Sequence, residues 1–247
     1  MSERQVVGTV RATNTDPDSE NRIHSDLVAQ RYGFAAGLVP GVEIFQFLAG
    51  AAQAIAPGWL RSGWGRLELK QPYFDGEPIT IAIAEDRVYA DDRAVLSVEA
   101  RPDLRAQASI PKVALEHGGS NRPEATPELL SEGTVLGTLY GRLKDVTPGS
   151  RKAKEILEFA NQILMRNVRL EPWLHVESAI RWYGLVETIE TFEVRGRVER
   201  EWETGKGHRM VRIRVEYCDP ATLDLAAAVE HTAVWKLAAG YQLSPVR

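Results

Sequence analysis

The chain has 247 residues, 44% hydrophobic and 26% charged, enough to bury one ordinary core or two small ones, which excludes a disordered tail and a disulfide-stapled miniprotein. Thirty Lys and Arg against 34 Asp and Glu leave a formal charge of -4, without the basic excess that gathers nucleic acid or anionic lipid, so neither is an expected partner. Cys218 is the lone cysteine, which excludes an intrachain disulfide and a cysteine-built zinc site and points to a reducing cytoplasm, and the sequence reads as free of a signal peptide and of any apolar run long enough to span a bilayer.

In chain order, Val6-Val7-Gly8-Thr9-Val10 reads as a strand, followed over 13–22 by a polar, turn-rich loop with several carboxylates. His24 to Gly33 reads as a short helix, with Ser25 as cap and Gly33 as stop. Gly37-Leu38-Val39-Pro40-Gly41 then opens a second helix over 42–56, apolar on nearly every face (Ile44, Phe45, Phe47, Leu48, Ala51, Ile55), so other structure must surround it. Strand-like runs follow at 65–74, 78–89 and 94–108, with Asp75-Gly76 and Asp91-Asp92 as turns, and antiparallel pairing is the natural outcome. The stretch 111–132 holds Pro111, Pro123, Pro127 and Gly118-Gly119 without a sustained period and reads as a linker between a first half, 1–110, and a second, 133–247. Beyond it come a strand at 134–142, an amphipathic helix at 151–165 and strand-like runs at 175–183, 192–202, 210–217 and 226–237. Strand, helix, then several strands thus occurs twice, an inference from element order because the halves share little sequence.

The stretch Asn21-Arg22-Ile23-His24-Ser25-Asp26, then Ala29, Gly33-Phe34, Gly37 and Val39-Pro40-Gly41-Val42, resembles the hydratase segment of MaoC-like acyl dehydratases, the family of (R)-specific enoyl-CoA hydratases. Looser likenesses lie at Trp173 to Ser178 and His231 to Trp235. The resemblance implies an α+β fold, the double hot-dog, in which each half is a long helix wrapped by a curved antiparallel sheet. In the family the segment reads Asp, any residue, Asn, Pro, any residue, His, any residue, Asp. His24 falls on the catalytic His, Asn21 on the Asn and Asp26 on the second Asp, whereas Ser19 falls on the catalytic Asp and Arg22 on the Pro. Asp18 and Glu20 flank the departure and supply the missing carboxylate if the loop shifts by one residue.

The resemblance implies water addition to an enoyl thioester, or its reverse, on an acyl chain carried by coenzyme A or a carrier protein, without metal or cofactor. His24 then takes the proton from water, because an imidazole titrates near neutrality. Asp18, Ser19 or Glu20 orients it. The amides at Gly41, at the positive end of the second helix, receive the thioester oxygen as it gains enolate charge. Asn21, Asp26, Val39, Pro40 and Gln46 are the expected substrate-binding residues. Glu43 and Gln46, polar in the first turns of an apolar helix, must reach the pocket mouth or find partners. His175 and Glu177, two residues apart on a strand, should share a face, with Arg181 and Arg200 available to pair Glu177. His117 in the linker and His208 in a turn read as exposed, and Arg61, Arg66 and Lys70 are candidates for coenzyme A phosphates or plain solvent charges. No counterpart of the hydratase segment precedes the second long helix, which places one active site in the first half. Two other functions remain open: thioester hydrolysis, with a group such as Gln46 positioning water, and non-catalytic acyl-coenzyme A binding, for which Ser19 is the motive. A second copy of the chain could cover the outer sheet faces, which leaves a homodimer open.

Overall fold

The computed structural model describes residues 3–116, 121–143 and 149–238. His117, Gly118-Gly119 and most of the connection before the second long helix lie outside them. The strands are β1 (Gln5–Arg11), β2 (Gly63–Leu69), β3 (Pro78–Ala84), β4 (Arg87–Ala90), β5 (Ala94–Ala100), β6 (Val135–Arg142), β7 (Leu174–Trp182), β8 (Thr191–Glu203), β9 (Arg209–Cys218) and β10 (Leu225–Lys236). The helices are α1 (Asp26–Arg31), α2 (Gly41–Ala52) and α3 (Ser150–Asn167).

All ten strands join one sheet, in the order β1-β3-β4-β5-β2-β7-β10-β9-β8-β6, and every ladder in it is antiparallel. Counted inward from either edge, the first five and the last five strands follow the same order, and the two sets meet where β2 pairs with β7. Each set covers one helix: α2 packs on β3, β4 and β5, α3 on β6, β8 and β10, and the helices pack on each other. The repeat inferred from element order is therefore visible as topology.

Helix α2 buries Val42, Ile44, Phe45, Leu48, Ala49 and Ala52, the enclosure its apolar surface requires. It ends at Ala52, short of the expected residue 56, because the chain tightens into successive turns (Ile55 N–H to Ala52 O, 3.2 Å) ahead of Pro57. In α3 the buried positions Ala153, Ile156, Leu157, Ala160, Ile163 and Leu164 keep the three-and-four spacing of an amphipathic helix.

Two expectations need correction. The run 78–89 is a hairpin, reversed at Glu85-Asp86, where Glu85 takes a φ of 55°; the polar pair interrupts an apolar pattern that otherwise reads through. The run 94–108 stops as a strand at Ala100, ahead of Pro102. The connecting stretch holds to both halves: Ser62 of the first receives the Arg101 amide at 3.0 Å and donates to the Pro102 carbonyl at 3.0 Å, and further contacts reach the second. The amides of Ser109 and Ile110 donate to Glu216 (2.7 and 2.9 Å), Lys112 pairs with Glu193 (2.5 Å), and Leu130 is fully buried. The main hydrophobic core draws on both halves. Among the described residues no helix is long and apolar enough to cross a membrane.

Candidate functional site

A cavity of about 800 Å³ opens between the two halves. One wall comes from the loop at 15–24 and the segment 38–42, another from α3, and a third from residues 173–176 and the end of β10. That volume is within the range of small-molecule sites.

His24 stands in this wall at the end of a 3-10 turn (Arg22–His24), ahead of α1 and not inside it as expected. Its ring is held from both sides. Nδ1–H donates to the Leu38 carbonyl at 2.7 Å, and Leu38 and Val39 are themselves pinned by Leu38 N–H to Ile23 O and Val39 N–H to Tyr73 O. A carbonyl can only accept, so the neutral ring carries its proton on Nδ1 and keeps a bare lone pair on Nε2. Asn21 Nδ2 reaches that Nε2 at 3.4 Å. The pKa of His24 is lowered, first by burial, with the Leu38 carbonyl and the charge of Asp16 opposing. It is a base by default.

Asn21 is buried and its amide faces the second half: Oδ1 accepts from Trp173 N–H at 3.2 Å and Nδ2 donates to Trp173 O at 3.0 Å. It clamps the histidine loop to the neighbouring half, and its amide is taken by that clamp. Asp26 is a staple as well, its Oδ1 accepting the Gly37 amide at 2.7 Å. Gly37 packs against the histidine segment so closely that a Cβ there would overlap the His24 carbonyl oxygen, which is why that position takes no side chain.

No hydrogen bond joins His24 to Asp18 or Glu20, although Asp16, Ser19 and Glu20 of the flanking loop line the cavity and the charge of Asp16 acts on the ring. Glu20 pairs with Arg122, Asp18 faces solvent, and the Ser19 hydroxyl donates to the Asn21 carbonyl at 3.3 Å. Helix α3 presents Lys154, Glu158, Asn161, Gln162, Met165 and Arg166 to the cavity. The pKa of Glu158 is raised by burial, with the charge of Lys154 opposing. Lys154 bridges Glu43 at 2.5 Å and Glu158 at 3.6 Å. Glu43, which also accepts from Thr15 at 2.7 Å, has thus found partners and ties α2 to α3. Sequence reading passed over this face of α3 because a polar stripe facing a cavity and one facing solvent have the same period.

Val39, Pro40 and Gly41 line the cavity where α2 begins, and the first amides of that helix have no partner within it. Gln46 does not line it. Beyond His24 the wall turns apolar, with Ile23, Phe34, Leu38, Val234 and Leu237 forming a small cluster separate from the main core.

His175 and Glu177 do not share a face. A β-bulge at Val176, where β7 slips against Thr232 and Ala233 of β10, turns His175 inward to Ser178 and leaves Glu177 outside with Arg66 at 3.2 Å. His208, expected to be exposed, is half-buried at the cavity rim. Of the candidate phosphate ligands, Lys70 lines the cavity, whereas Arg61 and Arg66 pair with Glu187 and with Glu68 and Glu177.

No protein-family model matches the sequence, and no curated protein matches it. Solved structures match the fold over nearly the whole chain. They include an isomerase-inactive variant of GphF DH1 (TM-score 0.53, 14% identity, 96% of this chain and 92% of that one), and the dehydratase domain of a mycocerosic acid synthase-like polyketide synthase (0.51, 11%, 96% and 95%). The tesB protein of Mycobacterium avium subspecies paratuberculosis is similar to the same degree (0.53, 12%, 95% and 96%). The chain has the hot-dog fold common to such dehydratase domains and an oleoyl thioesterase; at these identities the likeness concerns the fold alone.

Proposed function

We propose that the chain is a double hot-dog acyl dehydratase of MaoC-like type, interconverting a 3-hydroxyacyl thioester and the 2-enoyl thioester in a single site built by both halves. One observation supports this above the others: a neutral imidazole whose unprotonated Nε2 meets only a long, 3.4 Å contact from Asn21 Nδ2 lines the same cavity as a carboxyl group that burial favours in its protonated form. In the dehydrating direction Nε2 of His24 takes the proton from the α carbon. The electron pair forms the carbon–carbon double bond, and Glu158 gives its proton to the departing β-hydroxyl, which leaves as water. Hydration runs the same steps backward, with Glu158 taking the proton from water, the task sequence reading gave to His24. The amides at Gly41 face the thioester oxygen as it gains enolate charge, a contribution worth about a hundredfold to a thousandfold per donor. The apolar cluster around Phe34 and Val234 takes the acyl chain.

His24→Ala and Glu158→Gln should each lower turnover of an enoyl thioester by two or more orders of magnitude, read as loss of enoyl absorbance, with little change in melting temperature. Wild-type rates from either variant would overturn the assignment. Hydrolysis is the second reading, since a thioesterase has the same fold. A thiol-reactive dye separates the two, since only hydrolysis releases free thiol. Binding of acyl-coenzyme A without either signal would make the chain a non-catalytic partner subunit.

A further inference from the structure

Trp173 Nε1, Asn161 Oδ1 and His175 Nδ1 are buried, lack a hydrogen-bond partner in the protein, and belong to residues that line the cavity. His175 is the most constrained of them. Its Nε2 lies 2.9 Å from Ser178 Oγ, which lies 3.0 Å from Nδ1 of His231. Ser178 and His231 are fully buried, the two imidazole rings are 4.3 Å apart, and Nε2 of His231 also has no partner. A Cβ added to Gly41 would come within 3.0 Å of Nδ1 of His175, so the free end of this chain of groups lies against the start of α2.

Counting protons decides its direction. A bridging hydroxyl donates once, so one imidazole donates to Ser178 and the other accepts from it. Burial lowers the pKa of both rings, that of His175 to about 4, and the neighbouring His175 lowers that of His231 further, so each ring carries one proton. If His175 donated, His231 would keep an N–H on Nε2, enclosed in the core with nothing to accept it. If His231 donates, the core holds only an idle lone pair and the remaining N–H is Nδ1 of His175, at the cavity. Either arrangement leaves one buried N–H without a protein partner, but only the one on His175 belongs to a residue lining the cavity, where an arriving group can accept it. The Glu177 carbonyl raises the proton affinity of His175 but makes no hydrogen bond to Nδ1.

We propose that His175, protonated on Nδ1, is a hydrogen-bond donor to the acyl carbonyl at the Gly41 end of the cavity, with Ser178 and His231 as the positioning residues that hold this tautomer. The carbonyl as ligand rests on the acyl-thioester reading above. Leu69 Cδ1 occupies the same corner, so an arriving carbonyl turns that methyl aside, a change of one side-chain rotamer. The donor then acts beside the helix amides, on the side of the oxygen that they leave open.

The test uses the full chain with nitrogen-15 histidine and long-range proton–nitrogen correlation at neutral pH. The expected result is a proton on Nδ1 in both His175 and His231. Octanoyl-coenzyme A should shift the His175 Nδ1–H signal, and the S-octyl thioether of coenzyme A, which lacks the carbonyl, should not. Ser178→Ala should release the tautomer preference of His175, Ser178→Thr should restore it, and His175→Gln should lower kcat about a hundredfold with KM nearly unchanged. A His175 proton on Nε2, or equal shifts from the two ligands, overturns the proposal. Shifts at His24 with none at His175 overturn it alone, whereas silence at every cavity histidine takes the acyl-thioester reading down with it.

Discussion

At the scale of single residues, the proposed reaction depends on two groups displaced in opposite directions. Burial lowers the pKa of His24 and raises that of Glu158, and dehydration needs His24 neutral and Glu158 protonated. Activity therefore rises with pH through the lowered imidazole pKa and falls through the raised carboxyl pKa. The kcat/KM profile for a 3-hydroxyacyl thioester should have its acid limb below the ordinary imidazole value of about 6.5 and its alkaline limb above the ordinary Glu value of about 4.3. Glu158→Gln should abolish the alkaline limb, which a pH series on the residual activity would read. The buried imidazoles also act on stability. His24, His175 and His231 all bind protons less readily folded than unfolded, so their contribution is complete above the unfolded value and is lost as pH falls through the folded ones. Thermal melts should be flat from neutral to mildly alkaline pH and drop below about pH 6.5. His175 alone accounts for on the order of 3 kcal/mol by pH 4, from a shift of about 2.5 pH units. A melting temperature that does not change down to pH 4 would contradict this.

At the scale of elements, what positions His24 is a folded-back strap: the 3-10 turn, α1, and the return through Gly37 to the start of α2. Asp26 and Gly37 hold its two arms together by one hydrogen bond and one close backbone approach. Gly37→Ala forces the arms apart at the carbonyl of His24 itself, and backbone cannot turn aside as a side chain can. The expected cost is about 2 kcal/mol or more, with at least a tenfold fall in activity, because a misplacement of an ångström at a base is felt strongly. Melting curves and turnover of the one variant check both. Asp26→Asn, which keeps an acceptor oxygen for the Gly37 amide, should be far milder than Asp26→Ala. The bulge at Val176 is the corresponding device on β7, since a regular strand would send His175 out beside Glu177.

At the scale of the whole molecule, neither half owns the site. His24 and the Gly41 amides come from the first, Glu158 and His175 from the second, and Asn21 bonds across to Trp173. The β2–β7 seam continues the sheet between them, and the main core serves both. Residues 1–110 and 111–247 produced separately should each be inactive, with β2 or β7 left as an open edge. Mixing the two should restore hydration if each half retains its helix and strands. Activity from the first half alone would show that α3 supplies nothing to the chemistry.

Much of this architecture was legible along the chain, because alternation and helical spacing report which side of each element is buried, and burial is a property a residue shares with its near neighbours. That reasoning reached the two long helices, the antiparallel strands and the repeated order, and the resemblance carried by Asn21 to Gly41 singled out the loop that holds His24. It did not reach Glu158, which shares its polar stripe with Lys154 and would look the same on any solvated helix, nor the one-residue bulge that turns His175 inward. Asp26 carried the family's pattern but bonds backbone, and Asp18 and Glu20 lay beside His24 in sequence yet face solvent or Arg122. A partner's identity depends on which distant segment packs opposite, and no local period encodes that distance. Only the closing of the two halves brings His24 and Glu158 to one cavity.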